Sequence, residues 1–123
     1  MSNTLFEGTY QPFRIWSIFS IARFEFEKKT IDFPMTHRVV FAYLASLANR
    51  YGDISVSYLS VCKKTGVTDV EEMAEIFGWL MAFNLLSYVP TSLFDGERVK
   101  FKYRVNYPEN IFPHKIIHTP LEH

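Results

Sequence analysis

Arg98, Lys100, Lys102 and Arg104 recur at every second position, interleaved with Val99, Phe101, Tyr103 and Val105. A period of two marks a strand with one apolar and one polar face, so the pattern sets four cations in a row on a single face. Such a row can track the phosphates of a nucleic-acid backbone. It can also be a solvated strand edge, where lysines block pairing with other chains. Lys63 and Lys64 form a second basic pair. A third cluster has the opposite sign: Asp69, Glu71, Glu72 and Glu75 follow closely, and residues 65–83 contain no Lys, Arg, Asn or Gln. Those four types make the commonest contacts to base edges, so this acidic stretch is poorly equipped to read a groove. Placed in the first turn of a helix, Asp69, Glu71 and Glu72 complement the amide dipole, which explains their position without a partner.

Other reactive side chains lead to less. Cys62 is the only cysteine and lies among Leu59, Val61 and Val67, where a small buried side chain is expected rather than a nucleophile. His114 and His118 have a spacing that a helix could turn into a metal pair, but nothing completes the ligand set, and Pro113 and Pro120 oppose a long helix there. Glu25 and Glu27 share one strand face and read as solvated, and His37 beside Arg38 reads as a surface helix residue. The chain has no phosphate-binding glycine loop, nucleophile elbow or metalloprotease motif. The expectation is a protein that is not an enzyme and holds no metal or cofactor.

The 123 residues suit one domain that buries about two-thirds of its unfolded surface. Hydrophobic residues make up 48% and aromatic ones 17%, which excludes disorder and provides for a Phe-rich core with rings to spare for an interface. Thirteen basic residues balance thirteen acidic ones, so phosphate binding has to come from a local patch. The single cysteine excludes a disulfide-stapled secreted domain. No stretch reaches the ~18 apolar residues of a membrane span, and the N-terminus lacks a signal-peptide pattern. A soluble, cytoplasmic protein without membrane contact is expected, and residues 121–123 read as the remnant of a tag.

The elements that must position these groups follow from periodicity and punctuation. Residues 1–35 form an aromatic N-terminal extension expected to pack on the core or on a second subunit. Within it Ile15, Ile18, Phe19, Ala22 and Phe26 fit a helical face, while Trp16, Ile18, Ala22, Phe24 and Phe26 fit a strand face. We read a helix first, then an extended finish over Arg23 to Glu27, then a connection from Lys28 to Phe33 and Pro34. Thr36 is the expected cap of a scaffold helix carrying Val39, Val40, Tyr43, Leu44 and Leu47, which ends between Asn49 and Gly52. Ile54 to Val56 can form a short strand. Ser55 or Ser57 can cap a second helix reaching Lys64, and Thr65 and Gly66 supply a turn. Thr68 with Glu71 forms a capping box for a third helix, with Val70, Met73, Phe77, Leu80 and Met81 on one side. That helix extends to about Phe83, and Asn84 serves the exit. Leu85 to Val89 is a strand, Asp95 and Gly96 mark a hairpin turn, and the basic strand follows. In the tail, residues 108–120, Ile116 and Ile117 are expected to pack back or to meet a second subunit.

The turn Thr65-Gly66-Val67-Thr68, the ending Leu80-x-x-x-Asn84-Leu85-Leu86 and the hairpin after it resemble a winged helix-turn-helix domain of the bacterial, plasmid or phage regulator or replication type. The resemblance covers residues 36–107. It implies an α+β fold with a three-helix core, a C-terminal β-hairpin wing and the aromatic extension in front. Two departures stand out. Asn84 replaces the glycine usual at the helix exit, and the position six beyond Gly66, usually apolar, is Glu72, with apolar Met73 one residue later. The resemblance implies a homodimer on double-stranded DNA, acting in transcription regulation or replication. Phosphates would be met by Lys63, Lys64, Arg98, Lys100, Lys102 and Arg104, with Thr65, Thr68 and Asp69 nearest the groove. The other reading keeps the fold and turns Asp69, Glu71, Glu72 and Glu75 with the aromatic surface toward a protein partner.

Overall fold

The computed structural model describes residues 18–89, 101–111 and 115–118. Residues 18–20 are helical and lead into β1 (Ile21–Phe26), which turns back as β2 (Lys29–Asp32). Then come α1 (Met35–Leu47), β3 (Asp53–Val56), α2 (Tyr58–Thr65), α3 (Val70–Ala82), β4 (Leu86–Val89), β5 (Phe101–Val105), α4 (Pro108–Ile111) and β6 (Ile116–His118). The fold is mixed α+β with two small antiparallel sheets, ordered β2-β1-β6 and β3-β5-β4.

The extended finish expected at Arg23 begins two residues earlier, at Ile21. Lys29 to Asp32, read as a connection, is instead the second arm of a hairpin whose two-residue turn is Glu27 (φ 49) and Lys28 (φ 66). Paired left-handed residues match the strand twist of a tight hairpin, though Asn and Gly normally occupy them. The register of β1 against β6 shifts between Ile21 and Arg23. A bulge there breaks the alternation, which accounts for two fully buried side chains, Ile21 and Phe24, only three residues apart. It also explains why the segment fits helical spacing.

Helix α1 starts at Pro34, which acts as N-cap with no side-chain hydrogen bond, so the expected Thr36 cap is not used. Arg38 does the fastening instead. Its Nε donates to the Phe33 carbonyl (2.7 Å) and its Nη1 to the Phe19 carbonyl (3.1 Å), tying the helix to the β1–β2 unit. After Ala48 the Asn49 side-chain oxygen accepts from the Tyr51 and Asp53 amides, shaping a turn through Gly52 (φ 84) into β3. A Cβ on Gly52 would stand 2.6 Å from the Val105 carbonyl oxygen, so glycine is required for the turn to lie against β5.

Ser57 caps α2 in a reciprocal box with Ser60, and Gly66 closes it in the left-handed conformation (φ 83). The cap of α3 is Asp69, whose Oδ1 accepts from the Glu71 amide (2.9 Å), which corrects the expected Thr68–Glu71 box. Starting one residue later makes the α2–α3 turn longer and rotates the helix, so Met73 is buried while Glu72 is exposed. Asn84 (φ 60) ends α3 as expected, with its amide bonded to Met81 O and the Leu85 amide to Leu80 O.

Aromatic rings join the β1–β2 unit to α3 in the core. Phe33 stacks on Trp79 (centroids 5.3 Å) and tilts against Phe24 (5.2 Å), and Phe83 meets Trp79 at 4.6 Å. The described part of the N-terminal extension therefore packs on the helices, and the tail packs back as β6 on β1. Among the described residues no helix is long and apolar enough to cross a membrane.

Candidate nucleic-acid interface

Strand β5 delivers the alternation that its sequence implies. Tyr103 and Val105 are buried, whereas Lys102 and Arg104 are exposed on the opposite face. Phe101 begins the apolar row yet stays 41% exposed beyond the end of the core. The strand has neighbours on both sides, with Lys102 opposite Ser55 and Val89, and Arg104 opposite Asp53 and Ser87. Guarding an open sheet edge is therefore not a reason for Lys102 and Arg104. Arg104 is not a bare cation, because its Nε donates to Asp53 Oδ1 at 3.0 Å. Lys102 is exposed beside a serine and a valine. Arg98 and Lys100 lie outside the described residues.

Lys63 and Lys64 are exposed in the last turn of α2, where positive charge complements the carbonyl end of a helix. Thr65 is half-buried and donates its hydroxyl to the Val61 carbonyl (2.7 Å), so its side chain is engaged inside the helix. Thr68 is exposed.

The acidic residues divide by task. Asp69 is committed to its cap, Glu71 and Glu75 are exposed on α3, and Glu72 lies within electrostatic reach of His37. His37, read as a surface helix residue, is half-buried. Its ring meets Trp79 edge-on (5.0 Å) and its Nδ1 is buried with no hydrogen-bond partner among the described residues. Burial pushes its pKa below the usual value, with Glu72 pulling the other way.

Two features were missed in the sequence. One is a ladder of rings from Tyr58 through Phe77 and Tyr103 to Tyr88, ending at Phe101. Its inner members are buried or half-buried, and burial with a Tyr58 hydrogen bond holds the Tyr103 hydroxyl far above the usual tyrosine range. Its outer members, Tyr88 (51% exposed) and Phe101, surface on the side opposite Lys102. The other is a cleft between the Arg50–Gly52 turn and the C-terminal end of β5. The aromatic alternation could have suggested the ladder, whereas no local pattern announces the cleft.

His118 sits in a strand, with its Nδ1 2.7 Å from Ser20 Oγ, and no cluster of three metal-ligating side chains occurs among the described residues. His114 lies outside them. Comparison of the chain with protein-family models, with curated proteins and with solved structures gave no match.

Proposed function

We propose that this chain is a DNA-binding protein of the winged helix-turn-helix kind, a transcriptional regulator or replication-associated factor that grips the phosphate backbone. The observation that supports this reading is the placement of Lys102 and Arg104 on the outward face of a central strand, in a sheet packed beside the α2–α3 pair. Lys63 and Lys64 end α2, the first helix of that pair, and Arg98 and Lys100 continue the β5 alternation in sequence toward the β4–β5 connection. A second copy of the chain would supply the second half-site.

The contact is one of phosphates rather than bases, because the exposed side of α3 offers Glu71, Glu75 and Gly78. Fluorescence anisotropy with a random duplex should show roughly micromolar binding at low salt that collapses at moderate salt, as counterion release requires. Combining Lys100→Glu with Lys102→Glu should lower the salt slope by about two and weaken every duplex alike. A flat salt response, or unchanged affinity in the double variant, would sink the proposal.

A second reading is favoured by the absence of any basic residue on α3 and by the exposure of Glu71 and Glu75. In it the acidic helix docks a basic protein surface and DNA is not bound. Reversing Glu71, Glu72 and Glu75 to lysine separates the two. Duplex affinity holds or rises under the first reading, and a protein partner is lost under the second.

A further inference from the structure

The cleft beside the Asn49–Asp53 turn has the chemistry of an anion site. Its volume is about 370 Å³, within the range of small-molecule sites, and its walls include Arg50, Tyr51, Arg104, Tyr107 and Asn110. Among the described lining residues there is no acidic side chain.

Arg104 is the fixed element. Its backbone belongs to the central strand, and the neighbouring Val105 amide donates to the Gly52 carbonyl at 2.8 Å. Asp53 takes only the Nε edge of the guanidinium, so both Nη groups have no hydrogen-bond acceptor among the described residues. That remaining pair of nitrogens forms a planar fork suited to two oxygens of a phosphate. The Asp53 contact thus orients the fork without consuming it.

The opposite wall is equally well held. The Asn49 oxygen pins the Tyr51 and Asp53 amides, and Gly52 can lie against β5 only because it lacks a Cβ. Arg50 brings the second guanidinium, 5.9 Å from the Tyr51 ring centroid. A wall fixed before the ligand arrives spares the entropy of ordering a loop. The exposed ring of Tyr51 (68%) and that of Tyr107 offer flat apolar surface next to the charge.

We infer that this cleft binds a small phosphorylated ligand carrying a planar ring, of the nucleoside monophosphate class. The phosphate lies between Arg104 and Arg50, and the ring lies against the tyrosines. Asn110 supplies an amide to the polar rim. The inference does not depend on DNA binding.

The test is an amide NMR titration of the full chain with inorganic phosphate, with adenosine monophosphate and with a short duplex. Saturable shifts centred on Gly52, Asp53, Val105 and Tyr107 are expected, with the nucleotide binding more tightly than phosphate. Arg50→Gln and Arg104→Gln should each weaken the nucleotide about tenfold or more, roughly the loss of one charge-assisted contact. Circular dichroism establishes that each variant is folded. If Arg104→Gln unfolds, the wild-type map and Arg50→Gln decide the matter. No saturation by about 10 mM nucleotide, shifts centred elsewhere, or unchanged affinity in the folded variants would overturn the proposal. Shifts at these amides with the duplex and not with the nucleotide would also overturn it, since the cleft would then hold backbone phosphate.

Discussion

Thr68 and Asp69 are neighbours of similar capping ability, and a single hydrogen bond separates their roles. Asp69 Oδ1 receives the Glu71 amide, while Thr68 stays exposed. Asp69→Ala should therefore cost about 0.5–2 kcal/mol, and Thr68→Ala should stay within about 0.5 kcal/mol of wild type. Urea denaturation of the two variants checks this, and equal losses would refute the assignment. Local sequence does not distinguish the two residues, because both side chains can accept from a first-turn amide. The clue lay farther along, in Glu72 standing at a usually apolar position with apolar Met73 one residue later, since a helix that starts one residue later buries the next position. Single hydrogen bonds of this kind are legible only when the burial phase of the whole helix is read with them.

At the scale of elements, strong periodicity and glycine punctuation were enough to place α2, α3 and β5. Gly66 and Asn84 both take the positive φ assigned to them. The β1–β2 hairpin escaped because Glu27 and Lys28 adopt its turn without glycine or asparagine, and because the bulge gives β1 a spacing foreign to strands. Lys102 and Arg104 could be assigned to one face from sequence, but a strand's alternation does not tell whether it lies at the centre or the edge of its sheet. Helix α3 itself carries an oddity in Gly78, exposed at mid-helix with open space where a Cβ would stand. Replacing it by alanine removes backbone freedom from the unfolded chain and meets no neighbour. Gly78→Ala should stabilise the protein by about 0.5–1 kcal/mol, read as a higher midpoint of chemical unfolding. A neutral or negative change would mean that the helix tolerates no added bulk on this face.

Across the whole molecule, the anion cleft could not be read from the chain because Arg50 and Arg104 come to line one cleft only after β3 has paired with β5. The same long-range assembly places His37 of α1 against Trp79 of α3, where burial holds its pKa below 6.5. The unfolded chain then binds the proton more readily, so this contribution to stability is full above pH 6.5 and declines as pH falls through the lower folded-state value. Denaturation midpoints should begin to fall as the pH drops below about 6.5, before most carboxylates titrate. His37→Phe, which keeps a ring on Trp79, should flatten that slope, and an unchanged slope would assign the effect to another group. Strand β1 has a different kind of dependence on distant sequence. It is the middle strand of its sheet, yet one of its two partners, β6, lies at the far end of the described chain. A nascent polypeptide released residue by residue would hold β1 with one flank unsealed until β2 through α4 had all been made. Synthesis thus leaves a strand edge open to mispairing, and residues 116–118 are the stitch that closes it.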